Sequence, residues 1–285
     1  MQFKLSPGPD PIEPAQFKAI RSLVKEGIYI GTSGWSYQDW IGSFYPPRLK
    51  KPQMLPYYQQ FFPVSEINYT YYSMPSATTL EQIRRKATQM RFAVKAHRSM
   101  THERTEEREI WRIYAEALEP LREHDQLAAV LFQFPYSFKC TQRSYDYLAE
   151  IAEYFDPLPL VMEFRHLSWF HQRTFEIMRK WRVALCSVDA PRLPGLTHNE
   201  VHVTSEIAYY RLHGRRADEW FSGDNVTRYD YSYSDSEIKE LAKNVGELHR
   251  EAETVYVFAN NHPRGQAIDA AVKLARELQG HLNIQ

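Results

Sequence analysis

Val161-Met162-Glu163-Phe164-Arg165-His166 reads as a β-strand whose outer-parity residues are apolar while Glu163 and Arg165 share the opposite parity. Two charges therefore point the same way near the C-terminal end of a buried strand. Burial of an unpaired ion costs several kcal/mol, so both must meet partners or a wet cavity. Working outward, the same kind of segment recurs along the chain. Ile28–Ser33, Glu66–Tyr71, Phe92–His97 and Ala129–Phe134 precede it, and Val183–Asp189, Tyr209–Gly214 and Val255–Asn260 follow it. Most end in polar residues.

Helical signals separate these strands. Met54–Phe62 reads as a helix, Thr78-x-x-Glu81 has capping-box spacing, and Ile110, Ile113, Tyr114, Ala117, Leu118 and Leu121 stripe one face of another. Tyr145–Phe155 and Phe170–Trp181 continue the alternation. Ser234-x-x-Glu237 opens a helix with Ile238, Leu241, Ala242, Val245 and Leu248 on one face, and Ile268, Ala271, Val272, Ala275 and Leu278 mark the closing one. Pro191–Ser205 holds prolines, glycine and polar residues where a helix is due, so the sixth repeat is expected to be irregular. Near-continuous apolar strands alternating with helices argue for a parallel sheet closed into a single (β/α)₈ TIM barrel. An open doubly wound sheet is the competing topology, but no Gly-rich dinucleotide fingerprint follows the first strand. Residues 28–285 are assigned to the barrel and 1–27 to an N-terminal extension. In the latter, Phe17, Ile20 and Val24 would form one side of a short helix over one end of the fold.

The 285 residues are 43% hydrophobic and 25% charged, ordinary values for a soluble globular chain. Lys+Arg and Asp+Glu balance at 35 each, which disfavours a globally basic nucleic-acid binder but permits a local positive patch. Cys140 and Cys186 lack metal-like spacing and read as free thiols of a reducing compartment, the cytoplasm by default. Pro7, Pro9, Pro11 and Pro14 crowd the start, which has no apolar run of signal-peptide or membrane-spanning length.

Ligands of such barrels sit at the C-terminal ends of the strands. Counting inward on one parity places Glu66 and Asn68, Lys95 and His97, Gln133, Glu163 and Arg165, Ser187 and Asp189, Arg211 and His213, and Asn260 with His262 around one mouth. This ring has two readings: a structural ion-pair network, with Glu163 between Arg165 and Lys95, or an active site.

Several blocks carry a family likeness: Gly31-Thr32-Ser33-Gly34-Trp35-Ser36-Tyr37 through Trp40-x-Gly42-x-Phe44-Tyr45-Pro46, Glu66-Ile67-Asn68-x-Thr70-x-Tyr72, and Phe92-Ala93-Val94-Lys95 with Thr101-His102. Further blocks are Phe132-Gln133-Phe134-Pro135, Glu163-Phe164-Arg165-His166-x-Ser168-Trp169, Arg211-x-His213-Gly214, Arg228-Tyr229-Asp230-Tyr231 and Val257-Phe258-x-Asn260-Asn261-His262. Together they resemble the YecE-like family, a domain of unknown function. The resemblance implies a triose-phosphate-isomerase-type barrel and a site lined by those positions. It supplies no activity. Pro191–Ser205 matches no block, so nothing carries over there.

Chemically, Lys95, Arg165 and Arg211 suit a clamp for a phosphate or carboxylate, because arginine offers bidentate planar donors and lysine a point charge. The same cations would equally pair with Glu163, Glu66 and Asp189. Glu163, His213 and Lys95 are the expected catalytic residues, with Glu163 as base or metal ligand and His213 as the group that assists proton transfer. Trp35 and Trp169 would frame the ligand, while Asn68, Gln133, Asp189, Asn260 and His262 complete its contacts. Glu163, Asp189 and His213 also form a donor set for a divalent metal, although no His-x-x-x-His or Cys-x-x-Cys spacing supports one. Trp220, Phe221, Tyr229, Tyr231 and Tyr233 lie in a loop long enough for a lid or a fixed cap. The expected function is an enzyme, a hydrolase or isomerase, acting on an anionic small molecule such as a nucleotide or sugar phosphate by acid–base or metal-assisted chemistry. The alternative is a non-catalytic barrel whose basic and aromatic rim binds nucleic acid or another ligand.

Overall fold

The computed structural model of the chain describes residues 13–105, 107–197, 199–224 and 226–282. Pro7, Pro9 and Pro11 lie outside them, as do Glu106, His198, Asn225 and the last three residues. Eight parallel strands close into one barrel in chain order. They are β1 (Ile28–Ser33), β2 (Val64–Ile67), β3 (Arg91–Lys95), β4 (Leu127–Phe134), β5 (Leu160–Phe164), β6 (Ala184–Asp189), β7 (Ile207–Leu212) and β8 (Thr254–Ala259). The helix α1 (Lys18–Leu23) precedes β1. The outer ring comprises α2 (Lys51–Tyr58), α3 (Ala77–Lys86), α4 (Arg108–Arg122), α5 (Gln142–Tyr154), α6 (Gln172–Trp181), α7 (Asp235–Glu251) and α8 (Gln266–His281). Among the described residues no helix is long and apolar enough to cross a membrane.

The two parities of each strand feed two apolar layers. Outward side chains such as Ile30, Val94, Phe132, Met162, Leu185, Tyr210 and Val257 pack against the helices. Inward ones, among them Val64, Ala93, Leu131, Val161, Cys186, Tyr209 and Phe258, fill the barrel. Of the described residues before β1, Phe17, Ile20 and Leu23 join the outer layer. Phe17 packs against Phe44, Phe61 and Phe62, α1 lies on α8, and the Arg21 guanidinium binds the carbonyls of Gln59 and Gln60 at the end of α2. Those carbonyls have no intrahelical partner, which is why a cation serves there.

Helix starts follow local chemistry with one shift. Ser234 and Glu237 form the expected capping box of α7. The cap of α3 is Ser76, whose Oγ accepts from Thr79 N at 3.2 Å, while Glu81 pairs with Arg84 at 2.6 Å. On α4 the buried face takes Trp111 and leaves Ile113 exposed. The sixth repeat has no helix among its described residues. Instead, Leu185 N donates to Thr204 Oγ1 (2.8 Å), Asn199 N to Val188 O (2.7 Å) and Thr197 Oγ1 to Phe164 O (3.1 Å). This segment therefore wedges between the ends of β5 and β6, whose ladder is confined to Val161↔Ala184 and Met162↔Leu185. The barrel wall parts at its C-terminal end beside Glu163.

Gly31 faces inward at the tightest point of the β1–β2 seam. A Cβ there would lie 2.1 Å from Val64 O and 2.9 Å from Val64 Cγ1. Backbone cannot yield as a flexible side-chain tip can, so Gly31→Ala is expected to destabilise the barrel by about 2 kcal/mol or more. A thermal melt matching wild type would show that the seam opens freely.

Candidate active site

The C-terminal ends of β2, β5 and β7 direct Glu66, Glu163 and Arg211 into the barrel, where all three are buried. Arg211 Nη1 lies 2.7 Å from Glu163 Oε2, and its Nη2 lies 2.6 Å from Glu66 Oε1. The second oxygen of Glu66 accepts from Tyr209 OH at 2.7 Å. The second oxygen of Glu163 meets Arg165 Nε at 2.7 Å and His213 Nε2 at 3.3 Å. His213 Nδ1 in turn accepts from Asn260 Nδ2 at 3.0 Å, which leaves the imidazole proton on Nε2, aimed at Glu163. Two carboxylates and two guanidiniums thus balance.

This balance governs the titration of the neighbours. Burial would raise the Glu163 carboxyl, but Arg165 and Arg211, with the His213 hydrogen bond, outweigh it and hold the group well below the usual carboxylate range. Burial and the adjacent Arg165 cation push His213 down to about 3, so it is neutral at physiological pH. Lys95 ends β3, half-buried, with Nζ donating to Gln133 Oε1 at 2.9 Å and lying 4.5 Å over the Tyr71 ring. Burial lowers its pKa to about 7, Arg211 and Arg165 push in the same direction, and Glu163 and Glu66 offset only part of this. A protonated Lys95 would be the surplus cation beside a cluster that is already neutral.

The other positions expected at the mouth divide. Trp35 and Asn68 line a cavity of about 210 Å³ with Tyr37, Glu66 and Tyr69, and Asn68 Oδ1 is buried without a hydrogen-bond partner. His262 stacks on Tyr37 at 4.7 Å. Gln133 and Asn260 touch Lys95 and His213 as described. Trp169 does not reach the mouth: it is fully buried in the outer layer, stacked on Phe164 at 4.3 Å, with Nε1 donating to Phe138 O. It cannot frame a ligand. Ser187 and Asp189 also fall elsewhere, because Ala184, Cys186 and Val188 are the inward residues of β6. A register read one residue out exchanges the two faces of a strand. Asp189 instead binds Arg215 at 2.7 Å and Tyr233 OH at 2.6 Å. The donor set Glu163, Asp189 and His213 is therefore split across the sheet, and the described residues contain no convergent group of three or more His, Cys, Asp or Glu. His97 turns away to bind Ser99 Oγ at 2.8 Å.

Tyr209 is a participant that the sequence reading does not single out, although it shares the inward parity of Arg211 two residues later. Trp220, expected in a lid or fixed cap, comes from the loop after β7 to 5.4 Å from the Arg165 guanidinium. Gly214 turns that loop: its backbone is left-handed at φ 84°, its N–H donates to Tyr233 OH, and a Cβ would strike Tyr231 at 2.5 Å.

Residues 29–284 match the family described as "Protein of unknown function DUF72". A curated relative, the UPF0759 protein YunF of Bacillus subtilis (strain 168), is 30% identical over 262 residues, 85% of this chain and 91% of that protein. Among solved structures, a DUF72 family protein from Thermotoga maritima MSB8 superposes with a TM-score of 0.82 at 39% identity, covering 88% of this chain and 99% of that one. Another from Enterococcus faecalis V583 gives 0.79 at 27% identity, covering 88% and 95%. Both share the closed eight-stranded barrel.

Removing one partner from a buried ion pair leaves the other charge uncompensated. Arg211→Met is accordingly expected to cost about 3–5 kcal/mol in equilibrium denaturation. Because the folded-state pKa of Glu163 is depressed, its contribution is complete above about pH 4.3 and is lost as pH falls below that value. Wild type should therefore lose stability in acid more steeply than Glu163→Gln. An Arg211→Met protein as stable as wild type would contradict the pairing.

Proposed function

The chain belongs to the DUF72 family of proteins of unknown function, and from that premise we propose that it is an enzyme acting on an anionic small molecule, a sugar phosphate or nucleotide, by acid–base chemistry at the barrel mouth. The observation that carries this reading is the placement of Lys95, half-buried at the end of β3 with its amine 2.9 Å from Gln133 Oε1 and beside a charge-neutral cluster, where burial lowers its pKa to about 7. A group poised near the operating pH maximises both the fraction of free base and the driving force for proton transfer. In this reading Lys95 takes the proton, Gln133 orients its amine, and Arg165 at the rim holds the anionic group of the ligand. Glu163 is cast as the counter-charge that fixes Arg165, Arg211 and His213, because a carboxylate so strongly stabilised is a weak base. His213 serves as a neutral hydrogen-bond donor to it. Acid–base chemistry is preferred to the metal-assisted route because Asp189 faces away from Glu163 and His213. The YecE-like blocks fall within the matched residues, and the free thiols Cys140 and Cys186 support a cytoplasmic setting.

A second reading, a nucleic-acid-binding barrel, rests on the rim. Tyr69, Tyr72, Tyr136 and Phe221 are exposed on the loops after β2, β4 and β7, Tyr72 and Phe221 to 63% and 61%. Exposed rings of this kind serve as stacking platforms for bases.

One experiment separates the two. Turnover of a panel of sugar phosphates and nucleotides should rise with pH through about 7, the pKa to which burial lowers Lys95, and should fall about 10²-fold or more in Lys95→Met with the fold intact. Equal turnover by the variant would refute the role of Lys95. Absence of any turnover, combined with salt-dependent oligonucleotide binding that is lost in Tyr72→Ala and Phe221→Ala, would favour the second reading.

A further inference from the structure

A larger cavity, of about 700 Å³, opens on the same face but outside the mouth, between the loop after β3, the loop after β4 and the first turns of α4 and α5. Its size is that of a small-molecule pocket. Its walls carry Arg104, Arg108, Lys139 and Arg143. The acids lining it are engaged: Glu103 with Arg98 at 2.7 Å, Glu150 with Arg108, and Asp146 with the Gln142 side-chain amide at 2.9 Å. Among the described residues Arg104, Lys139 and Arg143 have no carboxylate partner, so the cavity presents surplus donors and surplus positive charge.

Three further observations point to a built site. Arg104 has a left-handed backbone, φ 53°, at the end of a π-helical turn, Ser99–Glu103. Non-glycine residues adopt that conformation at a cost, and such strain clusters at ligand sites. Its guanidinium is anchored on the His102 carbonyl at 3.2 Å and held 5.4 Å over the Phe138 ring. The wall also includes Trp111, which is 1% exposed, lies under the Arg108 guanidinium at 4.0 Å, and has an indole N–H with no acceptor in the protein. Finally, α5 begins at the cavity with Thr141 as its cap, adding the positive end of a 13-residue helix.

We infer that this cavity is a second ligand site, specific for a phosphate-bearing small molecule of mononucleotide size and separate from the mouth. The guanidiniums of Arg104 and Arg143 bind the phosphate oxygens, Lys139 adds a point charge, and the start of α5 contributes backbone donors.

Isothermal titration of the full chain with inorganic pyrophosphate and with AMP tests this. Saturable binding is expected for one or both, weakened about tenfold or more in Arg143→Ala and again in Arg104→Gly, since each removes a charge-assisted contact. Arg104→Gly relieves the left-handed backbone, so its loss of binding cannot be assigned to unfolding. Arg165→Met, which removes the anion contact proposed at the mouth, should leave this binding in place. No saturable heat with either probe, or binding that survives Arg143→Ala and Arg104→Gly and disappears in Arg165→Met, would overturn the inference.

Discussion

Arg211, clamped between Glu66 and Glu163, is the contact on which the mouth depends. Its two carboxylate partners come from β2 and β5, on different sides of the barrel, so one guanidinium ties three strands through the interior. Such a triad is not an obvious gain in stability, since well-packed apolar residues of similar volume often do as well or better. What it supplies is a fixed electrostatic setting. With Arg165 added, the charges cancel, and any further cation beside them is destabilised. Lys95 occupies that position.

The cluster also explains why the polar residues of the mouth behave unequally. Glu163 is saturated by Arg211, Arg165 and His213, so its charge is spent on organising the site. His213 is confined between Glu163 and Asn260, which fixes its tautomer and keeps it neutral. Lys95 and Asn68 are half-buried, and Asn68 lines the cavity of about 210 Å³ beside Trp35 and Glu66. In the proposed reading the chemistry lies on the β3 side, while the ion pairs of β2, β5 and β7 hold the charged groups in place.

Much of this was legible in the sequence. The period-2 alternation of Val161–Phe164 identified the inward carboxylate, and the recurrence of strand and helix signals identified the barrel, because both depend on local periodicity. Tyr209 obeyed the same parity and was overlooked beside Arg211. Asp189 and Ser187 were misplaced because β6 is apolar on both faces in its lower part, so hydrophobicity does not fix its register; packing of Ala184, Cys186 and Val188 inside the barrel does. Trp169 was misread because an aromatic after a strand can fold back over the outer layer as readily as over the mouth, and its stacking on Phe164 decides the matter. Periodicity puts both Glu163 and Lys95 at the mouth, but which of them is held strongly ionised by its neighbours follows from distances among several strands and is not legible in the sequence.

The most direct test of the account is a site-resolved NMR titration of the Lys95 side-chain amine in the intact protein. The account predicts a midpoint at about 7, well below the ordinary lysine value of 10.5. A midpoint near that ordinary value would mean that the cluster tolerates a further cation, and would remove the basis for assigning chemistry to the mouth.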